Sequence, residues 1–122
     1  MITLSGKDVL RADQFSKPEI ERVLEVAAKH EKALAAGKTL ATLRGKVLAT
    51  LFFEPSTRTR LSFETAMLRL GGQVISVAEA KTSSAAKGES LADTIRTVEG
   101  AADAIVRRHP EIGAADEAAR AA

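Results

Sequence analysis

Apolar residues recur at Ile20, Val23, Leu24 and Ala27, the i, i+3, i+4, i+7 spacing of one helical face. Ahead of them, Ser16-Lys17-Pro18-Glu19 combines an N-cap hydroxyl, an early-turn proline and a glutamate three residues on, and Gly37 marks a stop. The period then changes. Lys46 to Phe53 is a short, nearly continuous apolar run rich in strand formers, which suits a strand buried on both faces. Pro55 breaks it, and the spacing predicts a second helix over 59–70 with Phe63, Ala66, Met67 and Leu70 on its apolar face and Gly71-Gly72 at its end. Gln73 to Ala78 reads as a strand, and 79–88 is a small, polar, patternless loop. Leu91, Ile95 and Val98 mark a third helix ending near Gly100, Asp103 to Arg107 a third strand, and Pro110 its stop; the alanine-rich tail from Glu111 is predicted helical.

Strands alternating with helices of this length imply parallel crossovers. The predicted fold class is α/β: a partial three-layer parallel sheet with flanking helices. Ligands of open α/β sheets sit beyond the carboxyl ends of the strands. Residues 54–60, 79–88 and 108–110 are therefore expected to converge on one crevice.

Composition narrows what that crevice holds. The chain has 122 residues, enough for one domain, with 3% aromatics and neither Trp nor Tyr. Aromatic stacking platforms for single-stranded nucleic acid and aromatic sugar sites are therefore disfavoured. Eighteen basic against sixteen acidic residues give a net charge of +2, too slight for a dedicated nucleic-acid binder but compatible with a small anion held by a few arginines. With no Cys there is no disulfide framework, thiolate metal site or Cys nucleophile. No apolar run approaches membrane-spanning length, and the N-terminal MITLSGKDVLR lacks a signal-peptide core, so the expectation is a soluble, cytoplasmic protein.

The strongest chemical signal is Glu54-Pro55-Ser56-Thr57-Arg58-Thr59-Arg60, between a buried strand and a helix. The first turn of a helix offers N–H groups and the positive end of its dipole to an anion. Ser56, Thr57 and Thr59 add hydroxyls, and Arg58 a planar fork that fits phosphate or carboxylate. The plainer alternative is that Ser56 or Thr57 caps the helix while the arginines face water; two hydroxyl–arginine pairs exceed what one cap requires. Arg107, Arg108 and His109 follow the third strand, and periodicity does not say which arginine faces the ligand side. The loop Thr82 to Glu89 offers hydroxyls and Lys87 but is a weak signal alone. Gly37-Lys38-Thr39 imitates the end of a phosphate-binding P-loop, yet Lys32 stands where that motif needs Gly and a helix, not a strand, precedes it. Two separated histidines make no zinc site, and Ser56 lies in no nucleophile elbow.

Phe52-Phe53-Glu54-Pro55-Ser56-Thr57-Arg58-Thr59-Arg60-Leu61-Ser62-Phe63-Glu64 resembles the carbamoyl-phosphate signature of the aspartate and ornithine carbamoyltransferases. Lys87 to Thr94 (KGESLADT) and Ala104 to Pro110 (AIVRRHP) are similar to the next two blocks of that family, in the same order. Phe-Phe-Glu-Pro, Lys-Gly-Glu and Arg-His-Pro are closer to its aspartate branch than to its ornithine branch. The resemblance implies transfer of a carbamoyl group from carbamoyl phosphate to the amine of L-aspartate, in de novo pyrimidine synthesis, with no cofactor and no metal. It places Ser56, Thr57, Arg58 and Thr59 around the phosphate, with Arg58 neutralising charge on the departing group. Thr59 and Arg108 fall at the carbamoyl end. Ser83 and Lys87 match loop residues that members lend to the site of a neighbouring subunit, which implies a homotrimer; Lys87 would hold the phosphate or the aspartate carboxylate.

The expected departure from the family pattern lies in Glu111–Ala122, soon after the third strand. Members continue into a His-Pro-Thr-Gln-type segment and an aspartate-binding domain, neither of which is in these 122 residues. The expectation is an incomplete carbamoyl-phosphate-binding domain over 1–122, without the aspartate-binding domain and without turnover of its own. A stand-alone, non-catalytic phosphate-binding or subunit-interaction module is the alternative of a different class, and an ornithine-enzyme fragment the nearer one. A sheet cut after its third strand is also expected to favour association.

Overall fold

The computed structural model describes Gly6 and residues 8–52, 56–77 and 91–108. A 3-10 turn, Ala12–Gln14, is followed by α1 (Lys17–Ala35), β1 (Val47–Phe52), α2 (Thr57–Arg69), β2 (Gln73–Val77), α3 (Leu91–Glu99) and β3 (Ala104–Arg108). The chain forms two compact units, Met1–Leu40 and Ala41–Ala122.

In the first unit, Gln14 organises the entry to α1. Its Oε1 accepts from the backbone N–H groups of Leu10 (2.7 Å) and Arg11 (2.9 Å), and its Nε2 donates to the carbonyl of Asp8 at 2.9 Å. The capping box predicted at Ser16 is formed: Ser16 Oγ accepts from Glu19 N–H (3.3 Å) and Glu19 Oε1 accepts from Ser16 N–H (2.9 Å). At the other end Gly37 takes φ +76°, a conformation that disfavours a Cβ, and Lys38 N–H returns to Ala33 O at 3.1 Å. None of the α1 residues is buried; Ile20, Val23 and Leu24, on the predicted apolar face, are 45–63% exposed.

The second unit is a three-stranded, all-parallel sheet of order β2-β1-β3. The continuous apolar run becomes its central strand because every residue from Leu48 to Phe52 is buried. The core consists of Leu48, Ala49, Leu51, Phe52, Met67 and Ile95 among the described residues. Asp103 fixes the start of the β1–β3 ladder. Its N–H donates to Val47 O and its carboxylate accepts from Val47 N–H, each at 2.9 Å.

Two of the boundaries that differ from the sequence reading bear on the site. Helix α2 starts at Thr57 rather than near Thr59, because Ser56 O takes the first helical bond from Arg60 N–H at 3.0 Å. Strand β3 runs Ala104–Arg108 rather than Asp103–Arg107, since the Asp103 side chain is spent on the latch to Val47. The face α2 turns inward also differs. Of the predicted face Met67 is buried, but Phe63 is 45% exposed, whereas Thr59, Arg60 and Glu64 are half-buried. The reason is polar: Glu64 receives a hydrogen bond from Thr50 of β1 and Arg60 donates one to Ser76 of β2.

Candidate functional site

Moving from β1 to β2 and then from β2 to β3 traverses the sheet in opposite directions. Right-handed crossovers therefore put α2 and α3 on opposite faces, and the order reverses between β1 and β3. That reversal is where open parallel sheets leave a crevice at the carboxyl ends of their strands.

The predicted site residues on both sides of this point are brought together. Register pairs Phe52, the last residue of β1, with Arg108, the last of β3. Register partners share a face, and alternation puts Leu48, Thr50 and Phe52 on the α2 face of β1. Arg108 therefore emerges on the α2 side, while Arg107, paired with Leu51, takes the opposite face and is half-buried. The ambiguity between the two arginines is thus resolved by register: Arg108 Nη1 donates to Ser56 Oγ at 2.8 Å across 52 residues of sequence.

Ser56 is the N-cap residue of α2, but its hydroxyl accepts no hydrogen bond from the helix. It is committed to Arg108 instead. The N–H groups of Thr57, Arg58 and Thr59 have no acceptor within the helix, as for any first turn. Thr57 and Arg58 are exposed and Thr59 half-buried. Ser62 Oγ donates to Arg58 O at 2.8 Å, the i−4 back-bond of a helical serine.

Among the described residues, the first turn of α2 carries basic and no acidic side chains. Helices favour Asp or Glu in the first turn, where the dipole is positive. Here no acidic residue occupies it, and Arg58, Arg60 and Arg108 stand in or beside it. Cations at the positive end of a helix dipole make that end receptive to an anion. Phe52, 1% exposed, is the buried apolar residue at this end of β1.

Ser83 and Lys87 lie outside the described residues, as do Glu54, Pro55 and His109. The Thr50–Glu64 and Arg60–Ser76 pairs went unread in the sequence, although one signal was there: Thr50 is the polar residue inside the apolar run of β1. An open apolar depression also exists in the first unit, lined by Val9, Leu10, Phe15 and Ile20 among others, but Arg11 is the one ionisable residue in its lining. Among the described residues no helix is long and apolar enough to cross a membrane.

The fold and this end of the sheet define a class: an open parallel α/β domain whose strand-order reversal gathers helix N–H groups, hydroxyls and guanidinium groups suited to a small phosphorylated ligand. The comparisons narrow it. A family model described as the carbamoyl-P binding domain of aspartate/ornithine carbamoyltransferase matches residues 7–122, and the chain belongs to that family. It is 59% identical over 118 residues to the aspartate carbamoyltransferase catalytic subunit of Thermococcus gammatolerans, covering 97% of this chain and 38% of the relative. The catalytic subunit of Methanocaldococcus jannaschii aspartate transcarbamoylase superposes with a TM-score of 0.88 at 54% identity, covering 93% of this chain and 38% of that one. Aspartate transcarbamoylase from Trypanosoma cruzi, in complex with carbamoyl aspartate and phosphate, gives a TM-score of 0.92 at 43% identity, covering 98% and 38%. The same enzyme has also been solved with carbamoyl phosphate. The chain thus spans about two fifths of the length of the relatives it matches.

Proposed function

We propose that this chain supplies the carbamoyl-phosphate half of an aspartate carbamoyltransferase site, in an enzyme of de novo pyrimidine synthesis. The observation that carries the reading is the Arg108–Ser56 hydrogen bond, which joins the end of β3 to the N-terminus of α2 over the strand-order reversal. The ligands named for the Trypanosoma cruzi structures support the choice of substrates.

In this reading the N–H groups of the first turn, the hydroxyls of Ser56, Thr57 and Thr59, and the Arg58 guanidinium hold the phosphate. Thr59 and Arg108 polarise the carbamoyl carbonyl. The amine of L-aspartate attacks the carbonyl carbon, the carbonyl oxygen gains charge, and the bond to the bridging phosphate oxygen then breaks as the nitrogen's proton passes to the departing phosphate. Arg58 balances the charge that accumulates on the departing phosphate. The rate gain comes from alignment and from charges fixed before the reaction begins. Ser83 and Lys87 would enter the site of an adjacent copy, so the working assembly is a homotrimer, and its compartment the cytoplasm.

Calorimetric titration with phosphonoacetamide, in which a methylene replaces the bridging oxygen of carbamoyl phosphate, tests the half-site. Submillimolar binding that is lost in Arg58→Ala is expected. No binding by the unaltered chain would reject a ligand half-site and favour a subunit-interaction module.

A further inference from the structure

Helix α2 carries the site at its first turn, yet apolar packing does little to fix its rotation. Met67 is its one buried residue, while Leu61, Phe63 and Leu68 are 45–59% exposed. What ties it to the sheet is polar. Thr50, 0% exposed and the one buried polar residue among the described ones, donates from Oγ1 to Glu64 Oε2 at 2.6 Å. That separation is in the range of a hydroxyl bonded to a carboxylate, among the stronger side-chain hydrogen bonds. Ser76 is the register partner of Thr50 on the adjacent strand and so projects from the same face. It accepts from Arg60 Nη1 at 3.3 Å. Arg60 and Glu64 are one helical turn apart, so two successive positions of α2 are pinned to two neighbouring positions of the sheet.

We propose that Thr50, Glu64, Arg60 and Ser76 form a polar clamp that sets the rotation of α2 and thereby aims Thr57, Arg58 and Thr59 at the ligand. Thr50 and Glu64 are positioning residues in this arrangement, and the inference rests on the proposed half-site. The lever is short and its effect large. With Cα atoms about 2.3 Å from a helix axis, a rotation of roughly 20° displaces a first-turn residue by about 0.8 Å. Misplacements near 1 Å can cost about a hundredfold where groups must converge on one ligand. An apolar residue at position 50 would keep the core packed and release this constraint, which is what makes the clamp separable from stability.

The test compares the unaltered chain with Thr50→Val, which keeps the shape and removes the hydroxyl, and Thr50→Ser, which restores it. Amide resonances of Thr57, Arg58 and Thr59 are recorded without ligand, and phosphonoacetamide affinity is measured by calorimetry. Thr50→Val is expected to shift those resonances and to weaken binding at least tenfold, and Thr50→Ser to return affinity to within about twofold. First-turn resonances and affinity unchanged in Thr50→Val would overturn the proposal. If the unaltered chain binds no phosphonate, the half-site reading fails, and the ligand-free resonances decide the clamp: shifted in Thr50→Val and restored in Thr50→Ser supports it, unshifted refutes it. If Thr50→Val does not fold, Ser76→Ala on the exposed rung is read by the same two measurements, with the same first-turn shift expected and its absence contradicting the clamp.

Discussion

Ser56→Ala separates the two uses a serine can have at a helix start. A serine that caps its helix contributes about 1 kcal/mol to stability, seen on replacement by alanine. Ser56 occupies the N-cap position, but its hydroxyl accepts from Arg108 at 2.8 Å and from no N–H of α2. Ser56 is half-buried and Arg108 exposed, so on truncation the guanidinium regains water. The expected loss in unfolding free energy is therefore under about 0.5 kcal/mol, as for exposed hydrogen-bonded pairs. In a urea titration followed by circular dichroism the midpoint should move by no more than about 0.3 M, for a slope of about 1.5–2 kcal/mol per M. Anion binding should respond more strongly. Losing one hydroxyl bond to the ligand, worth about 1 kcal/mol, raises the phosphonoacetamide dissociation constant roughly fivefold, and releasing Arg108 adds to this. The opposite pattern, a stability loss of about 1 kcal/mol or more with unchanged affinity, would show that Ser56 is an ordinary cap and refute the reasoning.

Two further substitutions test the scaffold beneath the site. Phe52→Ala removes a side chain that is 1% exposed at the end of β1 and should lower the unfolding free energy by about 3–5 kcal/mol, enough to unfold much of the chain at room temperature. Asp103→Ala leaves Val47 N–H without its carboxylate acceptor and should cost about 1 kcal/mol in denaturant unfolding, whereas Asp103→Asn keeps an oxygen there and should cost less than half of that.

What the sequence made legible was local. The nearly continuous run Lys46 to Phe53 reads as a doubly buried strand because no polar alternation interrupts it, and its residues Val47–Phe52 form the central strand of the sheet. The Ser16 capping box is legible because all its parts lie within four residues. What depended on distant partners was not. Hydrophobicity alone turns Phe63 inward on α2, but the acceptor for buried Thr50 is Glu64, 14 residues away, and that bond turns Glu64 to the sheet instead. The choice between Arg107 and Arg108 likewise rests on a one-residue shift of β3, set by Asp103 binding Val47 56 positions earlier. A shift of one residue in a strand exchanges its faces, so single-chain periodicity had no means of making that choice. The proposed anion-binding segment stands out by its residue types, whereas Arg108, its proposed second wall, needed the resemblance or the register.

The central claim is that the first turn of α2 and Arg108 converge on one anion where the strand order reverses. A titration of isotope-labelled chain with phosphonoacetamide, followed by proton–nitrogen correlation spectra, tests it most directly. The account predicts saturable shifts of the Thr57, Arg58 and Thr59 amides and of the Arg108 side-chain Nε–H, with a single dissociation constant. Saturation with the Arg108 and first-turn signals unmoved, or shifts fitted by separate constants for the two walls, would contradict it.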